Sequence, residues 1–166
     1  IIEAKGENVV VEKGGKYGLY NSVSKSLFVD PIYVSIEAFG KTYNDGYLFK
    51  DENGKYGIIN FQGKKITKAI YDSIESLLYK EGCLLVKQDD KYGIIDKEQN
   101  NLLPFEYAGI KYNEKANLFI AEDVEYKTSI IDTNYLIKLT GILSEINTEK
   151  SYIRMRINDE YKYYNL

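Results

Sequence analysis

The stretch Gly54–Phe61, GKYGIINF, returns at near-constant spacing along the chain, and that return constrains the fold more than any other feature. Gly15–Tyr20 reads GKYGLY, Asp90–Ile95 reads DKYGII and Lys127–Asp132 reads KTSIID, and a weaker copy closes the chain at Glu160–Leu166. Anchored on Tyr17, Tyr56, Tyr92, Thr128 and Tyr161, the steps are 39, 36, 36 and 33 residues. Periods of this size belong to architectures in which each unit buries its apolar surface against its neighbours. The expectation is an all-β, antiparallel β repeat array of three-segment units, propeller-like or a short solenoid. It fills residues 1–166 as a single array: a partial repeat 1–8, repeats 9–46, 47–82, 83–117 and 118–151, and a partial repeat 152–166. Ile2, Glu3 and Ala4 match Ile36, Glu37 and Ala38, which reads as a piece of a longer array or as two half-repeats that close a ring.

Each unit opens on an apolar run: Val9–Val11, Tyr47–Phe49, Cys83–Val86, Leu118–Ala121 and Tyr152–Ile157. A short polar stretch follows, such as Glu12–Gly15, Lys50–Gly54 or Lys87–Asp90, and predicts a hairpin. Asn53 with Gly54 is the strongest turn signal, since both residues tolerate positive φ. The second strand is the anchor segment. Its alternating side chains put large apolar groups on both faces, so both faces are expected to be covered. The recurrent glycine, Gly18, Gly57 and Gly93 with Ser129 standing in, implies close approach of a neighbouring backbone or ring. Tyr33 with Ile36, Tyr71 with Ile74, Tyr107 with Ile110 and Leu143 with Ile146 keep an offset of three. That offset breaks strand alternation and predicts a bend, a bulge or a short helical turn.

These residues resemble the bacterial WG, or KWG, repeats. In that family a turn glycine precedes Lys-Trp/Tyr-Gly, two apolar residues and an Asp, then a Gly-Lys turn, a Pro and a Tyr-Asp pair. Here Gly54-Lys55-Tyr56-Gly57-Ile58-Ile59-Asn60, Gly63-Lys64 and Tyr71-Asp72 carry the likeness, and Asp90–Asp96 with Pro104 and Tyr107 follows it closely. Tyr replaces the family's Trp in every good copy, and the chain holds no Trp. The resemblance implies an all-β interaction module of bacterial origin, without a catalytic residue set or a cofactor.

The chemistry of the side chains agrees with a non-enzyme. The absence of histidine removes the commonest general base and the commonest metal ligand. One cysteine, Cys83, sits in an apolar run and reads as a small core residue. The pairs Asp51-Glu52, Asp89-Asp90, Glu122-Asp123 and Asp159-Glu160 fall at hairpin tips, where acids are common and solvated. The 22 basic and 25 acidic residues are interspersed without a basic stripe, so nucleic acid is not the expected partner. No apolar run approaches the ~20 residues of a membrane span.

The chain's 17 tyrosines are its chemical excess. Those in phase with the repeat read as packing rings. Those out of phase are the expected contact surface, because tyrosine offers large area at low entropic cost. Tyr43, Tyr79, Tyr112, Tyr135 and Tyr163 are the candidate binding residues. A protein is the expected partner, with a carbohydrate or cell-envelope ligand stacked on exposed rings as the second reading.

Overall fold

A computed structural model describes residues 3–40, 46–76, 83–96 and 98–166, and within them the chain is strand and turn with no helix. The chain forms two compact units, residues 1–89 with 95–100 and residues 90–94 with 101–166. The fold is an all-β array of antiparallel meanders, each laid down in sequence order. The first sheet is β1 (Glu3–Lys5), β2 (Asn8–Lys13), β3 (Lys16–Asn21) and β4 (Ser26–Tyr33); the second is β5 (Ser35–Ala38), β6 (Tyr47–Lys50) and β7 (Tyr56–Ile59). The third is β8 (Ser73–Ser76), β9 (Leu84–Gln88), β10 (Lys91–Ile95) and β11 (Asn101–Tyr107). The last has six strands: β12 (Gly109–Asn113), β13 (Leu118–Glu122), β14 (Thr128–Ile131), β15 (Ile137–Asn147), β16 (Tyr152–Ile157) and β17 (Glu160–Asn165).

The offset of three between Tyr and Ile is a change of sheet. Tyr33 ends β4 opposite Tyr17, and Ile36 lies in β5 opposite Phe49. The residue after each Tyr bends, and its N–H donates to a carbonyl on the next sheet: Val34 to Lys50 at 2.9 Å, Asp72 to Lys87 at 2.8 Å and Ala108 to Glu122 at 2.7 Å. In the fourth copy the chain stays within β15, and a bulge between Leu143 and Glu145 absorbs the offset. One half of that strand pairs β14 and the other pairs β16.

The turns differ from the sequence expectation in one respect. Two consecutive positive-φ residues occur at Gly14-Gly15, Asp89-Asp90 and Asn158-Asp159, whereas at Asn53-Gly54 only Gly54 is left-handed. The reason lies in Asp51, whose Oδ1 accepts the N–H groups of Asn53 at 3.0 Å and Lys55 at 2.9 Å. A side-chain acceptor at that position builds a longer loop with one left-handed residue. The same arrangement recurs under Asn60, Asp123 and Asp132. The acids of Asp51-Glu52 and Glu122-Asp123 therefore contribute a turn-building carboxylate each.

Packing explains the repeated glycine. A Cβ on Gly18 would lie 2.4 Å from the Val29 carbonyl oxygen, and one on Gly57 would lie 2.5 Å from Cζ of the Phe49 ring. In the first unit Val10, Leu19 and Val29 of one sheet bury against Tyr47, Phe49 and Ile59 of the next. In the second unit Ile130 packs with Ile153 and Met155, bordered by Ile120, Leu139 and Leu143. Ile58 and Ile59 are both buried, as are Ile130 and Ile131, so these strands are covered on both faces. Cys83 is 4% exposed, a core position.

Candidate binding surface

The five candidate tyrosines fall in different places. Tyr43 and Tyr79 lie outside the described residues. Tyr112 and Tyr135 come together around the buried Phe119 ring. The Tyr112 ring lies 5.2 Å from it, and Tyr135 stacks on it at 5.8 Å with 23° between the planes. The Tyr112 hydroxyl donates to Asn117 Oδ1 at 2.5 Å, and both rings are half-buried. Tyr135 occupies the left-handed turn position that Gly54 and Gly63 hold in earlier loops, with φ of 65°. Tyr163 stands in a separate cluster on β17 and is 62% exposed.

That second cluster is built by register. Glu145, Arg154 and Tyr163 face one another across β15, β16 and β17, and Arg156 faces Tyr161 in the adjoining row. Strand alternation puts these side chains, with Tyr152, on one face, while Ile153 and Met155 point to the core. The Arg154 guanidinium lies 5.4 Å from the centre of the Tyr161 ring and 3.8 Å from Glu145 Oε2. Its hydrogen bond with Tyr163 favours the charged guanidinium. Tyr152 meets the Tyr163 ring edge-on at 5.4 Å, and its hydroxyl donates to Glu145 Oε2 at 3.0 Å. Hydrogen bonds from Asn147 and then Tyr152 hold the Glu145 carboxyl below its ordinary range, and the Glu145 contact pushes the Tyr152 phenol up. The network fixes its side chains in place while Tyr161 and Tyr163 stay 61% and 62% exposed. A surface ordered before contact loses less entropy when a partner arrives.

Arg154, Glu145 and Arg156 are not among the sequence candidates, yet aligning the copies exposes Arg154. The equivalents of Arg154 are Val10, Leu48, Leu85 and Ile120, and the equivalents of Tyr163 are Leu19, Ile58, Ile94 and Ile130. An apolar pair in four copies gives way to Arg and Tyr in the fifth. A cleft of about 370 Å³ opens beside this face, lined in part by Glu125, Lys127, Thr140, Gly141, Arg156 and Asp159. The first unit has a groove of about 530 Å³ along Glu7, Val23, Phe28, Phe61 and Gln62. Among the described residues no group of His, Cys, Asp or Glu is placed to hold a metal ion, and no helix is long and apolar enough to cross a membrane.

Comparison with known proteins adds a family and a set of distant folds. Residues 56–92 match the model of the WG containing repeat. No curated protein matches the chain. BamB from Moraxella catarrhalis superposes with a TM-score of 0.44 at 10% identity, over 99% of this chain and 59% of that one. Kluyveromyces lactis Hsv2p gives 0.43 at 12% identity, over 96% and 57%, and the C-terminal WD40 domain of Sif2 gives 0.42 at 11%, over 96% and 52%. The chain thus spans less than two thirds of the length of each of these structures.

Proposed function

We propose, for a chain that carries a WG containing repeat, a non-catalytic role: a module that binds a protein partner through the outer face of β15, β16 and β17. The observation that carries this reading is the Arg154–Tyr161–Tyr163 network, two largely exposed rings held around a guanidinium on one sheet face. Tyrosine and arginine dominate the energetic centres of protein interfaces, where lysine and glutamate are depleted. The face bears three tyrosines, two arginines, one glutamate and no lysine in its paired rows. Tyr112 and Tyr135 belong to the same proposal as a second, more buried contact patch.

The test is affinity capture from the host extract followed by binding of the purified captured protein. The Tyr161→Ala/Tyr163→Ala double variant is expected to weaken the dissociation constant at least tenfold, about 1.4 kcal/mol. Unchanged affinity overturns the assignment.

A second reading, a carbohydrate ligand, is favoured by the cleft where Glu125, Asp159, Lys127 and Arg156 offer acceptors and donors, with Tyr161 across the strand pair from Arg156. Silence on a glycan array at high protein concentration removes it.

A further inference from the structure

Two hairpins of the second unit part where one strand changes partners. β15 pairs β14 as far as Gly141, opposite Thr128, and pairs β16 from Ile142, opposite Arg156. A Cβ on Gly141 would lie 2.8 Å from Ile157 Cγ1 and 2.9 Å from the Arg156 carbonyl oxygen, so glycine is what allows the crossing. The cleft of about 370 Å³ opens there, between the Asp123–Lys127 loop and the turn at Asn158-Asp159.

The anchor lysine of the first two copies is ion-paired within the array. Lys16 reaches Glu52 on the next hairpin at 2.7 Å, and Lys55 reaches Asp72 at 2.5 Å. Lys127 holds the same place in the fourth copy, where Ser144 stands for Asp72 and the next hairpin offers Asp159. It makes neither bridge. Among the described residues, the side chains of Glu125, Lys127, Arg156 and Asp159 form no ion pair or hydrogen bond, although all four line one cleft. Each wall thus carries one cation and one anion. The walls themselves are fixed: Asp123 Oδ1 accepts the N–H groups of Glu125 and Lys127 at 2.9 Å each, and Ile157 pairs with Glu160 across the opposite turn.

We infer that this cleft binds a small zwitterion, an amino acid or short peptide, whose carboxylate is taken by Lys127 and Arg156 and whose ammonium is taken by Glu125 and Asp159. A ligand with a single charge satisfies one pair and meets like charge in the other, so selectivity comes from repulsion as well as attraction. Walls held by backbone hydrogen bonds reduce the ordering that binding requires. The cleft is the one that favours the carbohydrate reading; the inference gives it a charged occupant instead and does not depend on the tyrosines of the outer face.

The test is a backbone amide chemical-shift titration of the full chain with triglycine, N-acetyl-triglycine, triglycine amide and glucose. Triglycine is expected to shift the Gly141, Ile142 and Asn158 signals and to bind at least tenfold more tightly than either capped peptide. Lys127→Gln and Asp159→Asn, both exposed substitutions, are each expected to weaken triglycine about tenfold while leaving the remaining spectrum unchanged. Equal binding of a capped form overturns the zwitterion. No shift at the highest soluble concentration of triglycine overturns the site. Shifts from glucose with none from triglycine overturn the inference and leave the carbohydrate reading standing.

Discussion

Arg154 lies directly across from Tyr163 on β16 and β17, in the place that Val10 and Leu19 hold across β2 and β3. The two pairs share a position in the repeat and differ in what covers them, since Val10 and Leu19 are both 0% exposed and Tyr163 is 62% exposed. Their mutational costs should separate accordingly. Leu19→Ala removes a fully buried side chain and is expected to cost about 2–5 kcal/mol. Tyr163→Ala is expected to cost less than about 1 kcal/mol, as surface substitutions do. Urea unfolding of the two variants checks this, and similar costs would contradict the division between core and surface.

The repeated glycine makes a steric prediction. Gly18→Ala drives a methyl group into the backbone of Val29, Asp30 and Pro31, each under 3 Å away. Backbone held in a sheet does not yield, so the loss is expected to be about 3 kcal/mol, at the upper end of overpacking costs. Gly57→Ala meets the Phe49 ring, a core group 1% exposed, and is expected to cost about 1–3 kcal/mol. Thermal unfolding ranks them.

Two tyrosines sit where a glycine would be easier. Tyr126 and Tyr135 have φ of 63° and 65° in the loops under Asp123 and Asp132, a region that costs L-residues about 1–2 kcal/mol. Tyr126 is 76% exposed, so Tyr126→Gly is expected to raise stability by about 0.5 kcal/mol after the unfolded-state entropy of glycine is subtracted. Tyr135→Gly forfeits the stack on Phe119 and is expected to gain nothing. A gain at position 135 equal to that at 126 would show that the stack contributes no stability.

The titrating groups set both limbs of the pH profile. Glu145 is held below its ordinary 4.5 by Asn147 and Tyr152, and Asp132 below its ordinary 3.8 by Lys138 and the Leu136 N–H. A depressed carboxyl contributes stability above its unfolded value and loses it as pH falls through the folded one. Order in the Glu145–Tyr152–Arg154 cluster is therefore expected to fade below pH 4.5, and Glu145→Gln should remove that acid dependence in a chemical-shift titration. Tyr107 behaves oppositely. Burial, with Glu106 beside it, pushes its phenol up to about 12, so the stability it contributes is fully present below pH 10 and is lost as pH rises from there through the folded value. Tyr107→Phe should shift the alkaline unfolding transition upward.

Period, strand order and the covered strand faces were legible in the sequence, because apolar runs, turn residues and the anchor glycine recur in phase. The Tyr-x-x-Ile offset announced an irregularity at Tyr33 and Ile36, but only pairing to Phe49 reveals that the irregularity is a move to a new sheet. The Asn53-Gly54 turn misleads locally because Asp51, two residues before Asn53, captures the loop with its carboxylate. Among the tyrosines, phase alone did not separate Tyr163, which is exposed, from Tyr135, which leans on Phe119. Burial of a ring depends on what its neighbours offer, Phe119 in one case and Arg154 in the other.

Tyrosine side-chain labelling of the full chain, with and without its purified protein partner, tests the binding account most directly. The account predicts that Tyr161 and Tyr163, freely labelled alone, become protected in the complex, while Tyr126 does not change. Protection confined to the first-unit groove along Val23, Phe28 and Phe61, read from amide exchange with Tyr161 and Tyr163 still labelled, would contradict it.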